Sequence, residues 1–101
     1  MTPSGAQPDG FNDLVHAPTR LSLMSLLAPT EWTEFAYLRD TLHLSDSALS
    51  KQLTILQHAG YVHVQRERHG ASRRVTASLT PLGRRAFTDH VAALRALLDL
   101  H

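Results

Sequence analysis

A chain of 101 residues has the length of one domain with a single core, and an apolar share of 43% is ordinary for a globular protein. With no cysteine, disulfides, thiolate metal sites and cysteine nucleophiles are excluded together. The net charge of +1 points to no partner.

The distribution of charge says more than its total. Over residues 1–44, Arg20 and Arg39 stand against Asp9, Asp13, Glu31, Glu34 and Asp40, a net of −3. Over 45–85, Lys51, Arg66, Arg68, Arg73, Arg74, Arg84 and Arg85 face only Asp46 and Glu67, a net of +5. Residues 86–101 return to −1, from Arg95 against Asp89 and Asp99. A local basic patch suits nucleic acid even when the whole chain is near neutral.

The first ten residues, MTPSGAQPDG, are rich in Pro, Gly, Ser and Gln and read as a disordered tail. They carry neither the basic start nor the apolar run of a secretory signal. No apolar stretch approaches the roughly 18 residues of a membrane span. The expectation is a cytoplasmic protein without a membrane partner, with one folded domain over residues 11–101.

Residues 11–17, FNDLVHA, are expected as a short helix or turn with Phe11, Leu14 and Val15 on one side. Pro18 suits the first turn of a helix and not its interior. The helix it opens, TRLSLMSLLA, has a broad apolar surface and ends at Pro29. Trp32 to Phe35 reads as a brief extended segment. A second helix follows near Ala36 to His43, with Leu38 and Leu42 four apart.

Residues 44–60, LSDSALSKQLTILQHAG, form the stretch around which the rest is organised. Ser45 is a capping residue, Asp46 suits the positive end of a helix, and Gly60 stops it. Leu49, Leu53 and Leu56 make one apolar stripe. At about 100° per residue, Ser47, Ser50, Lys51, Thr54 and His58 point the other way. Two readings are open: an ordinary solvated face, or a face of small hydroxyls and one cation shaped for the major groove of DNA. Two helices joined by a short turn, the second with such a face, read as a helix-turn-helix, although the usual turn glycine is absent.

After Gly60 the period changes to two. Residues 61–67 alternate, Arg68 to Ser72 carry turn residues, and Arg73 to Leu79 alternate again, which reads as a β-hairpin. Its loop and base hold Arg66, Arg68, Arg73 and Arg74. These either decorate a solvated tip or lie along phosphates. Thr80 and Pro81 begin the last helix. There Phe87, Val91, Leu94 and Leu98 step four, three and four apart, widened by Ala93, Leu97 and Leu100. This face either folds onto the domain's own core or makes a dimer together with Phe11, Leu14 and Val15.

Helix, helix-turn-helix, hairpin, helix is the winged helix-turn-helix order. The expected class is α+β, mainly α, with a two-stranded wing and a C-terminal dimerisation helix over 80–100. Three segments also resemble small MarR/ArsR-type winged helix-turn-helix regulators of bacteria and archaea. HAPTRLSLMSLL (16–27) is similar to their opening helix, D-P-x-R-L-x-I-L-x-L-L. LSDSALSKQLTILQHAGYV (44–62) resembles their recognition helix and strand entry, and LTPLGRRAF (79–87) the start of their last helix. The likeness covers roughly residues 12–100 and is greatest to the stand-alone group made of a winged domain and one further helix.

The resemblance implies a transcriptional regulator, most often a repressor, acting as a homodimer on a pseudo-palindromic operator. It implies base-edge contacts from Ser47, Ser50, Lys51 and Thr54 and phosphate contacts from Arg68, Arg73 and Arg74. Ser45 and Arg66 extend these two groups. The family's histidine in L-S-x-H-L is Gln52 here, on the flank of the leucine stripe. The alternative is a winged module that docks to another protein without binding DNA.

With no separate effector domain expected, any small-molecule effector would have to bind at the dimer interface, between the last helix and the winged core. No phosphate loop, GxSxG elbow or HExxH is present, so no enzyme is expected. No cofactor or metal is expected either, since the seven histidines form no His-x3-His or His-x-His pair. His16 and His90 are placed to meet at the dimer interface, and His58 and His63 flank a helix end.

Overall fold

The computed structural model describes residues 7–99, and its elements follow the expected order. They are α1 (Asp13–His16), α2 (Pro18–Leu27), β1 (Thr33–Glu34), α3 (Phe35–Thr41), α4 (Asp46–His58), β2 (Val62–His69), β3 (Ser72–Leu79) and α5 (Pro81–Asp99).

The leucine stripe of α4 is the centre of the core. Leu49 and Leu56 are fully buried and Leu53 nearly so, packed with Leu23, Met24 and Leu27 of α2, Leu38 of α3, and Val62, Ala77 and Leu79 of the sheet. Burying one leucine is worth about 1.5–3 kcal/mol relative to exposure. Three on one stripe hold α4 in place whatever its outer face carries. The Ser45 hydroxyl accepts from the Ala48 N–H at 3.1 Å, and Gly60 closes the helix with a φ of +81°. The turn between α3 and α4 does require a left-handed residue. His43 supplies it at φ +55°, and Leu44 N–H then bonds back to the Arg39 carbonyl at 2.9 Å.

The hairpin is tighter than its sequence suggests. Pairing runs unbroken from Val62 opposite Leu79 to His69 opposite Ser72, so the loop contracts to Gly70 and Ala71, with Gly70 at φ +60°. The expected two-stranded wing also gains β1, which pairs Thr33 with Ala77 and Glu34 with Thr76. The sheet order is β1-β3-β2.

The last helix enters through a close crossing. Thr80 caps it, accepting from Gly83 N–H at 2.9 Å while its own hydroxyl donates to the Gly60 carbonyl at 2.6 Å. Gly83 lies against the Tyr61 backbone, where an added Cβ would overlap the Tyr61 carbonyl group. The glycine of LTPLGRRAF is there because α5 touches, backbone to backbone, the residue that leads into β2.

The N-terminal segment is stitched to α5. Of the tail expected over 1–10, residues 1–6 lie outside the described residues. Residues 7–10 make a turn, with Phe11 N–H donating to Pro8 O at 3.1 Å and Gly10 against Asp89. Asn12 N–H donates to His90 Nδ1 at 3.0 Å, and Asn12 Nδ2 donates to Tyr61 Oη at 2.9 Å. His90 Nε2 lies 3.1 Å from His16 Nδ1, and the Phe11 ring packs against both histidines. Because Asn12 donates into Nδ1, the neutral His90 ring carries its proton on Nε2 and gives it to His16.

Two expectations are corrected here. His16 and His90 meet inside one subunit, since His90 is fully buried at the α1–α5 seam. Val15, grouped by sequence with the dimerisation surface, is also fully buried in its own core, because the four-residue α1 turns that side chain inward. Leu14 and Phe87 pack against the same core and are half-buried. Val91 and Leu94 are half-buried, whereas Leu98 is 67% exposed. Leu82, in the first turn of α5, is exposed as well, so the open apolar side chains of α5 lie at both of its ends. Leu100 lies outside the described residues. No described helix is long and apolar enough to cross a membrane.

Candidate nucleic-acid interface

The leucine stripe decides which side of α4 faces out. Ser47, Ser50, Lys51, Thr54 and His58 are all exposed on the side away from the core. Their hydrogen-bonding capacity differs. Ser45 is committed to its cap, and its hydroxyl lies 3.3 Å from that of Ser47. Thr54 donates its hydroxyl proton to the Ser50 carbonyl at 2.9 Å, so it offers outward a methyl group and oxygen lone pairs. The Ser50 hydroxyl and the Lys51 ammonium remain in solvent as donors.

The hairpin meets this face on one flank. A groove of about 320 Å³ separates α4 from the wing. Phe35, Leu53, Val64 and Val75 line it, together with Ser50, Thr54, Arg66 and Arg73. Pairing puts Arg66 opposite Val75 and Arg68 opposite Arg73, and residues directly opposite share a face of a sheet. Arg66, Arg68 and Arg73 thus form one guanidinium face continuous with the outer side of α4. Among the described residues none of the three is in an ion pair. Arg68 and Arg73 are like charges facing one another, an arrangement that costs a sheet a few tenths to about 1 kcal/mol.

Arg74 belongs elsewhere. It sits opposite Glu67, on the other face, and donates to Glu34 Oε2 at 3.3 Å. The four wing arginines therefore divide three to one, a split that the period-two alternation of 73–79 already contains.

Two supporting groups are not visible in the sequence pattern. Arg39 donates to Asp40 at 2.9 Å and to Asp46 at 3.0 Å. Its hydrogen bond holds the Asp40 carboxyl below the usual carboxylate range, and both acids keep Arg39 firmly protonated. The one carboxylate in the first turn of α4 thus carries its own counter-charge. Arg20 reaches Gln52 on the flank of α4 opposite the groove, with Nη1 donating to Oε1 at 3.0 Å. The Arg39–Asp46 and Arg20–Gln52 contacts join different helices, so no helical spacing announces them. Among the described residues no cluster of three metal-ligating side chains is present.

A family model described as a winged helix DNA-binding domain matches residues 19–98, which span α2 through nearly all of α5. The chain belongs to the winged helix DNA-binding domain family. This winged helix protein is 30% identical over 81 residues to an uncharacterized protein of Methanocaldococcus jannaschii, covering 80% of this chain and 84% of that one. Its fold matches the transcriptional regulator homologue of Pyrococcus horikoshii OT3 at a TM-score of 0.79, with 22% identity and 85% of each chain covered. It matches a transcriptional regulator of the MarR family from Enterococcus faecalis V583 at 0.71, with 24% identity over 86% of this chain and 77% of that one. The winged helix fold expected from the sequence is the fold of these two proteins.

Proposed function

We propose that this winged helix protein is a sequence-specific, double-stranded DNA-binding transcriptional regulator. It acts as a homodimer on a pseudo-palindromic operator and represses by occupying it. The observation that carries the reading is the continuity of the α4 face with Arg66, Arg68 and Arg73. Small hydroxyls let a helix approach base edges, while guanidinium groups on an adjoining ridge neutralise phosphates. The mutual repulsion of Arg68 and Arg73 is relieved when an anion lies between them, which favours a polyanionic partner. Leu98 and the half-buried Val91 and Leu94 supply the apolar surface for the second copy. A small-molecule effector has its seat at that same interface.

The test is selection from a random duplex library, followed by titration of the recovered sequence across a salt series. The reading expects a two-fold symmetric motif and a log K that falls linearly with log salt. Retention of no duplex overturns it and leaves a winged module that docks to another protein.

A further inference from the structure

The seam that joins α1 to α5 and the recognition helix α4 are connected through one side chain. Arg20, on α2, is half-buried. Its Nε–H donates to the carbonyl of Leu14 at 2.7 Å, and its Nη1–H donates to Gln52 Oε1 at 3.0 Å. Leu14 lies in α1, the element that Asn12 and His16 fasten to His90 of α5. Gln52 lies between Lys51 and Leu53 on α4, on the flank away from the wing groove. The leucine stripe fixes how deep α4 sits and which side faces out, but apolar contact is non-directional and leaves the last few degrees of rotation about the helix axis weakly specified. A planar, charged fork with both arms engaged supplies the missing direction.

We propose that Arg20 is a positioning residue for DNA binding. By tying Gln52 to the end of α1, it sets the rotation of α4 and therefore where Ser50, Lys51 and Thr54 point, and it references that rotation to the α1–α5 seat. The proposal rests on the DNA-binding reading above. Arg20 touches no base or phosphate in this account, since two of its N–H groups are already committed inside the subunit.

The experiment compares Arg20→Met, Gln52→Met, the double variant and Arg20→Lys on the tightest duplex recovered by selection, with folding of each checked by circular dichroism. Gln52→Met, which removes one charge-assisted hydrogen bond, is expected to bind about tenfold more weakly, and Arg20→Met, which removes that bond and the one to Leu14, at least as weakly. The double variant should bind no more weakly than Arg20→Met, because Gln52 acts through Arg20. Arg20→Lys should recover part of the loss, since an ammonium reaches one of the two acceptors. The salt slope should stay at the parent value, since no phosphate contact is removed.

Parent affinity in a folded Arg20→Met overturns the proposal, as do additive effects. A salt slope reduced by about one overturns it too, because Arg20 would then be a phosphate ligand. A readout without DNA accompanies these. Amide hydrogen exchange over residues 46–58 should be faster in Arg20→Met than in Arg95→Met, a control at an exposed position of α5. Equal exchange overturns the proposal. If the parent selects no duplex, the DNA-binding reading fails by itself, and exchange alone decides whether Arg20 holds α4.

Discussion

At the α1–α5 seam both ring nitrogens of His90 are committed. Asn12 gives its backbone N–H to His90 and its amide to Tyr61, while the two histidines share one proton between facing nitrogens. On the outer side of α4 and the wing the opposite holds. Ser50, Lys51, Arg66, Arg68 and Arg73 keep donors in solvent, and two of the guanidinium groups repel each other across the ladder. A buried polar group must find its partner within the fold, because leaving it unmade costs about 1–3 kcal/mol. An exposed donor has water and can exchange it for a ligand. The first region is therefore built for stability, the second for a partner, and variants should separate the two.

The largest effect belongs to the backbone crossing beside the seam. Gly83→Ala forces a Cβ into the Tyr61 carbonyl group, and backbone cannot swing aside as a side chain can. The cost should reach about 3 kcal/mol, a fall in Tm of roughly 10–20 °C in a thermal melt followed by circular dichroism. An unchanged Tm would mean that Gly83 and Tyr61 are not in backbone contact.

The next effect falls on the open region and costs no stability. Arg73→Ala should weaken binding to every duplex by about tenfold at moderate salt and reduce the salt slope by about one, with Tm held or slightly raised as the repulsion from Arg68 is removed. Arg74→Ala should do less, because that guanidinium is engaged with Glu34 on the reverse face. Equal losses from the two variants would erase the distinction between the faces of the wing.

Thr54 offers a finer division. With its hydroxyl proton given to Ser50, its methyl is the group suited to the methyl of thymine. Thr54→Val should keep the base preference at one position of each half-site, and Thr54→Ser should lose it by about fivefold. Selection experiments on the two variants read this directly. The reverse pattern would show that the hydroxyl does the reading.

The smallest effect is the pH dependence of the seam. Burial, with the nearby His16, pushes His90 below the ordinary histidine value of 6.5, and Asp13 opposes the shift. Tyr61 and Asp89 adjoin the same cluster through Asn12 and Gly10. A depressed folded-state pKa means that the unfolded chain binds the proton more readily. The contribution of His90 to stability is thus complete above about pH 6.5 and is lost as pH falls below it. Protonation also places a second N–H against that of Asn12. Denaturant melts from pH 7.5 down to pH 5 should show declining stability in the parent and a flatter profile in His90→Gln. A parent profile as flat as the variant's would mean that the seam does not depend on a neutral ring.

Much of this molecule follows from local chemistry and is legible in its sequence. The α4 stripe, its Ser45 cap, the Gly60 stop, the alternating wing and the Thr80–Pro81 entry all rest on periods and capping rules that act within a few residues. The outer side of α4 is readable for the same reason, since a buried leucine stripe dictates which residues face away. Chain order does not reveal which side chains meet across helices. Val15, outward by its spacing with Phe11 and Leu14, lies inward. His16 and His90 close on each other within one subunit, and Arg20, Arg39 and Arg74 find partners 32, 7 and 40 residues away. Such contacts have no period. They depend on the angles at which helices and sheet come to rest, and those are settled only when the whole core packs.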